Sequence, residues 1–269
     1  MSNTVSSRNF GWRPPSEFGR VHRGIRRRLT ASETSLLPAV VSLVSHAPTV
    51  YDQGPLSSCV AQAVAKAIEI RLHYQGLRRY IPSRLALYYG ARQAIGMTGE
   101  DSGAIIADCL SHARNIGFGD EFYWGYAENL GQFTARPPWN YYDAAAEARV
   151  VNMEALDHDA GTIHWELASG HPVLAGMVID EGFDNAVDGV ITPGGDHLGG
   201  HAVAIVGIDM ANRRVLVMNS WGTLWGDNGL AWLPLDVLLD PVVTGELHSL
   251  RVVRVRRDMP PVADRIVGG

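Results

Sequence analysis

Apolar residues recur at three- and four-residue intervals from Cys59 to Leu72 (Cys-Val-Ala-Gln-Ala-Val-Ala-Lys-Ala-Ile-Glu-Ile-Arg-Leu), a run rich in alanine and other helix formers. The pattern predicts a buried helix, with a serine of the preceding Ser57-Ser58 pair capping its first turn. A second helix is predicted from Pro82 to Ala94, with Pro82 starting it and Ser83 in the first turn, and a third from Gly103 to Asn115, stopped at Gly117. Trp124 to Pro138 is aromatic, glycine-containing and aperiodic, the texture of a loop joining two lobes. Beyond about Ala144 the period shortens. Strands are predicted over Val150–Met153, Pro172–Ile179, Ala202–Asp209, Val215–Asn219, Gly229–Leu233 and Leu250–Val255, with one helix near Ile163–Ser169 among them. Helices first and strands later predict an α+β protein of two lobes.

The first 35 residues break this order. Arg8, Arg13, Arg20, Arg23, Arg26, Arg27 and Arg28 face only Glu17 and Glu33, a Pro14-Pro15 pair interrupts them, and no apolar period is sustained. This basic arm is either a disordered leader or a segment pinned to the body, across its cleft, by Phe10, Trp12 and Phe18. The expected division is an arm at 1–35, a body at 36–258 with its helical lobe at about 50–143 and its β-rich lobe at about 144–258, and a tail at 259–269. Neither internal repeats nor low-complexity tracts are evident.

Composition narrows the choice little. With 269 residues, 46% hydrophobic and 19% charged, the chain can bury a full core. A net charge of -5 and a pI near 6.0 give no reason to expect nucleic acid as a partner. Two cysteines, Cys59 and Cys109, exclude a multi-bridge scaffold, and Cys109 is expected to be a buried free thiol. No run of about 18 apolar residues suggests a membrane span and no secretory signal is visible, so the expected location is the cytoplasm, or outside by a route that such a pattern would not reveal. Cys59, His197 and His201 would make an incomplete metal set without a Cys-x-x-Cys pair, so neither metal nor cofactor is expected.

The candidate chemistry lies in three strings: Asp52-Gln53-Gly54-Pro55-Leu56-Ser57-Ser58-Cys59, Gly199-Gly200-His201-Ala202 and Asn219-Ser220-Trp221-Gly222. Taken alone, a cysteine is more often a small buried hydrophobe and a histidine a surface or satisfied core residue. Together they supply a thiol, an imidazole and an amide, the parts of a cysteine nucleophile, its base and the group that orients the base. At a helix start, backbone amides and the helix dipole are expected to lower the thiol pKa. His201 precedes an apolar strand that would fix its ring, whereas His197 reads as a loop residue. Asn219 ends another strand and can accept the imidazole N–H, with Trp221 shielding that bond. Gln53 can donate to a developing oxyanion together with the Cys59 N–H.

These blocks resemble the papain-like cysteine peptidases, in particular a bacterial-type branch with a short N-terminal arm in place of a long helical pro-segment. The Cys59-to-His201 separation of about 140 residues falls in the interval of that class. The resemblance implies a two-lobed fold, a helical lobe followed by an antiparallel β-barrel-like lobe with the cleft between them. It implies hydrolysis of a peptide or protein substrate through an acyl-enzyme, with Cys59 as nucleophile, His201 as base then acid, Asn219 as orienter and Gln53 as oxyanion donor. Ser102-Gly103 resembles the family's substrate-pairing glycines. The second specificity pocket would be lined by Gly176 or Met177, Gly200 and Ala202, small residues that lead us to expect a roomy, apolar pocket. Val60 replaces the family's usual tryptophan, and Leu56-Ser57 stand where Cys-Gly is typical. That removes a family disulfide, fits a reducing compartment and places Ser57 where it would narrow the cleft. The arm is expected to act as an intramolecular inhibitor. Two alternatives remain: an amidase, deamidase or acyltransferase on a particular protein, and an inactive papain-like binding module.

Overall fold

The computed structural model describes residues 9–47, 49–77, 80–127 and 129–256, so Arg8 and the tail expected at 259–269 lie outside the described residues. Along the chain come α1 (Ala31–Leu36), β1 (Val40–Ser42), α2 (Cys59–Tyr74), α3 (Arg84–Ala94), α4 (Ile106–Asn115), α5 (Trp139–Ala146), β2 (Ala148–Ala155), α6 (Ala160–Ala168), β3 (Val173–Asp180), α7 (Glu181–Asp184), β4 (His197–Asp209), β5 (Arg214–Met218), β6 (Leu230–Pro234), α8 (Leu235–Leu239) and β7 (Thr244–Val255). Short 3-10 turns occur at Pro15–Phe18, Val44–His46 and Leu130–Gln132.

The fold is α+β and two-lobed. Helices α2, α3 and α4 pack together around a core that includes Val60, Val64, Ile68, Leu87, Ile106 and Leu110. The strands form an antiparallel sheet in the order β2-β7-β3-β4-β5-β6, with β1 added beside β4. Alternation along β3 and β4 divides their side chains between two cores. Gly176 pairs with Ala202, and Ala202 belongs to the α2 core. Met177 pairs with His201, and Met177 belongs to the core of the β-rich lobe with Ile179, Phe183 and Trp225.

Helix α2 begins at Cys59 as predicted but without its expected cap, and the predicted starts of α3 and α4 move. Ser58 precedes α2, but its side chain makes no capping bond; its hydroxyl lies 2.6 Å from Tyr126 Oη and accepts from Gln62 Nε2 at 3.2 Å. Ser83 caps α3 by accepting from Ala86 N, so this helix begins two residues after Pro82. Helix α4 begins at Ile106 and not Gly103, because Gly103 is held at φ +73° and the helix N-terminus is met by a carboxylate from β7: Ile106 N and Ala107 N donate to Glu246 at 3.1 and 2.8 Å.

The arm has fixed structure from Asn9 onward. Gly11–Arg13 runs as an extended segment against both lobes: Trp12 N donates to Gly200 O at 3.0 Å, Arg13 N to Ala104 O at 2.9 Å, and Ala104 N to Gly11 O at 2.7 Å. Further on, Ile25 bridges to Leu156, and α1 carries a capping box between Thr30 and Glu33. Phe18, half-buried, packs under the Arg13 guanidinium within the arm itself.

Candidate active site

Cys59 is the first residue of α2, and its thiol is fully buried. The N–H groups of Ala202, Gly11, Val60 and Cys59 itself act on the sulfur. Burial is the larger influence and pushes the thiol up to about 11, against the sequence expectation of a lowered value. The helix start acts in the anticipated direction, as does the N–H of arm residue Gly11; the dry surroundings outweigh both. Cys109 is also buried and free.

His201 is fully buried in β4, with Nε2 2.8 Å from Asn219 Oδ1. Asn219 lies one residue beyond β5, and its Oδ1 also accepts from Ser220 N at 2.8 Å. An oxygen that accepts two bonds requires the imidazole to donate from Nε2, which assigns its tautomer and makes Nδ1 the nitrogen not engaged by the amide. The Trp221 ring lies 4.5 Å from the imidazole centroid at 31°, with Phe183 and Phe10 edge-on at 5.8 and 6.5 Å. These three aromatic rings around the imidazole exclude water from the bond and lower the local dielectric.

Gln53 is fixed from three sides. Its backbone N donates to Ser220 O at 2.9 Å, its Oε1 accepts from Ser220 Oγ at 2.8 Å, and its backbone O accepts from Tyr126 Oη at 2.8 Å. With Oε1 engaged, Nε2 donates to Leu56 O and to Asn9 O of the arm, each at 2.9 Å. Ser57, where the resemblance has a typical glycine, donates from N and Oγ to Asp101, which also accepts from Tyr88 Oη. Tyr88 Oη in turn accepts from Gly103 N at 3.1 Å. This chain of bonds ties the loop before Cys59 to Ser102-Gly103.

The arm passes over these parts. A Cβ built on Gly103 would lie 2.3 Å from Gly11 O, and one on Gly11 would lie 1.9 Å from Ser57 O. The Trp12 side chain, 5% exposed, occupies the space between Gly176, Gly200 and Ala202. Met177, the other residue named for that pocket, faces away from it.

Sequence reasoning missed Ser220, Asp101, Gly245 and Glu246 in this region. Ser220 stands inside the Asn219-Ser220-Trp221 string and could have been found there; Glu246 lies in a strand without any motif. Among the described residues there is no group of three or more His, Cys, Asp or Glu side chains that could hold a metal ion, and no helix long and apolar enough to cross a membrane.

The model of the papain family of cysteine proteases matches residues 43–237. The chain belongs to that family. It is a cysteine-type peptidase, a hydrolase. It is 34% identical over 219 residues to an uncharacterised peptidase C1-like protein of Acanthamoeba polyphaga mimivirus, covering 75% of this chain and 69% of that one. Its structure resembles xylellain, a cysteine protease from Xylella fastidiosa, with a TM-score of 0.81 at 25% identity over 94% of this chain and all of the other, in keeping with the bacterial-type branch. A proCathepsin B from Trypanosoma congolense shares the fold, with a TM-score of 0.67 at 17% identity over 92% of this chain and 87% of that one.

Proposed function

We propose that this peptidase hydrolyses peptide bonds through Cys59, His201 and Asn219, and that its own N-terminal arm holds it latent. In this reading His201 Nδ1 takes the Cys59 proton, Asn219 keeps the ring in the tautomer that allows it, and the thiolate attacks the scissile carbonyl. The resulting oxyanion receives Gln53 Nε2 and the Cys59 N–H; His201 then returns its proton to the leaving amine, and water hydrolyses the acyl-enzyme. Ser102-Gly103, Gly176, Gly200, Ala202 and Trp221 line the path of the substrate.

One observation carries the latent state. Gln53 Nε2, the donor an oxyanion would need, is bonded to a carbonyl of the arm at 2.9 Å. Backbone pairing of Gly11–Arg13 with Gly200 and Ala104 is of the kind an extended peptide substrate would make.

The test compares hydrolysis of a denatured protein substrate by the full chain and by a chain lacking Met1 to Ser35, with Cys59→Ala as blank and product masses recorded. New carboxyl termini, formed faster without the arm, are the expected result. Equal rates would refute restraint by the arm, and acyl transfer without chain cleavage would refute peptide-bond hydrolysis.

A further inference from the structure

The pocket filled by Trp12 is neither simply roomy nor wholly apolar. Three glycines shape it: a Cβ on Gly176 would lie 2.1 Å from Trp12 Nε1, one on Gly245 2.8 Å from the far edge of the indole, and one on Gly200 2.2 Å from Trp12 O. Bare backbone from β3 and β7 therefore makes a flat slot matched to a planar bicyclic ring. At its floor lies Glu246, fully buried, and Trp12 Nε1 donates to Glu246 Oε2 at 3.0 Å. The remaining partners of the carboxylate belong to the body: Ile106 N on Oε2, Ala107 N and His248 Nε2 on Oε1.

Every hydrogen-bond partner of the Glu246 carboxylate but one therefore stays in place when the arm leaves. Oε2 then faces an empty slot walled by glycine backbone, short of one hydrogen bond. An aliphatic side chain entering there would bury an under-satisfied charged oxygen; a planar ring with a donor at the same height would replace the lost bond. The two backbone N–H groups of the α4 N-terminus and the His248 side chain already engage the carboxylate, so the slot calls for a neutral donor rather than a second full charge.

We infer that this pocket selects substrates bearing a tryptophan-like aromatic N–H side chain, with Glu246 as the residue that determines the choice and Trp12 as the internal mimic of that side chain. The inference rests on the reading that the arm covers a peptidase cleft, because only then does the slot receive substrate.

The test uses the full-length chain carrying Trp12→Ala, which removes the arm's own indole. Short peptides are compared that differ only at the residue taken by this pocket: tryptophan, its benzothienyl twin (same shape, sulfur in place of N–H), leucine and arginine. Cleavage is measured with Trp12→Ala, and binding by calorimetry with Trp12→Ala/Cys59→Ala, so that recognition is read without turnover. We expect the tryptophan peptide to bind and react roughly tenfold better than its twin, and better than leucine or arginine. Equal values for tryptophan and its twin, preference for leucine or arginine, or no binding of any peptide would overturn the inference. Equal cleavage of the twins would leave peptidase action standing, whereas selective binding without any cleavage would support the pocket and refute the peptidase reading. No pocket residue is altered, so misfolding of α4 does not enter.

Discussion

Releasing the arm should change the ionisation of Cys59, and the size of the change follows from the site. With the arm docked, burial holds the thiol at about 11, although four backbone N–H groups pull it down. At pH 7.5 that leaves roughly 3 in 10,000 molecules as thiolate, whereas a solvent-facing cysteine near 8.5 has about one in ten. Arm release should therefore speed alkylation of Cys59 at pH 7.5 by roughly 300-fold. The linkage has a definite sign. A thiol whose pKa is raised in the docked state favours docking fully below the pKa of the released state and loses that contribution as pH rises toward 11. The difference between about 8.5 and about 11 corresponds to about 3 kcal/mol of docking free energy. The assay is iodoacetamide labelling against pH, with mass spectrometry to locate the adduct, for the full chain and for the chain without Met1 to Ser35. Buried Cys109 serves as the internal control for unfolding. A full-length profile with its midpoint well above that of the shortened chain is expected; coincident profiles with a midpoint below 8 would refute the reasoning.

Three other consequences can be measured. His22 of the arm sits 5.3 Å from His248 and 6.4 Å from His158, near Glu246, and burial foremost holds its pKa below the ordinary value; docking stability from His22 is thus present above about pH 6.5 and is lost as pH falls below that. The ratio of full-length to arm-deleted turnover should rise as pH falls from 7 to 5 and should flatten in His22→Gln; a ratio independent of pH would contradict this. Gly11→Ala places a methyl 1.9 Å from a backbone oxygen, so it should expel the arm and raise full-length turnover by roughly two orders of magnitude with the melting transition of the body retained, and unchanged latency would show that the arm takes another path. Lys66, the only lysine, is buried in a pair with Glu69 that also accepts from Tyr51 Oη at 2.9 Å; Lys66→Met should cost about 3–5 kcal/mol in urea unfolding, and Lys66→Met/Glu69→Leu should recover most of it, whereas a loss below about 1 kcal/mol in the single variant would mean that the pair is unimportant.

The lobes were legible because their signals are local. Three-and-four spacing marked α2 from its first residue, and short β-rich runs marked the strands from β2 to β7, although β4 begins at His197, expected to be a loop residue, and not at Ala202, and β7 begins at Thr244 and not at Leu250. The start of α4 was misplaced because the carboxylate that meets it comes from Glu246, about 140 residues further along the chain. Cys59, His201, Asn219 and Gln53 stood out through adjoining glycines and tryptophans, and folding brings His201 to Asn219 and Gln53 to Ser220. The ionisation of Cys59 was misjudged for a similar reason. Helix dipoles can be read from sequence, whereas the depth to which the folded chain buries a thiol cannot. Phe10 and Trp12 were visible as aromatic residues in an otherwise basic stretch, but only three-dimensional packing reveals that one ring abuts His201 and the other fills a glycine-walled slot.

Both the nucleophile and its restraint are read by labelling the full-length and arm-deleted chains at pH 7 with a thiol-directed peptidyl epoxide, with Cys59→Ala as control. One adduct is expected, at Cys59, forming readily without the arm and slowly or not at all with it. Equal labelling of both forms would contradict restraint, and no labelling of either would contradict Cys59 as the nucleophile of a working peptidase.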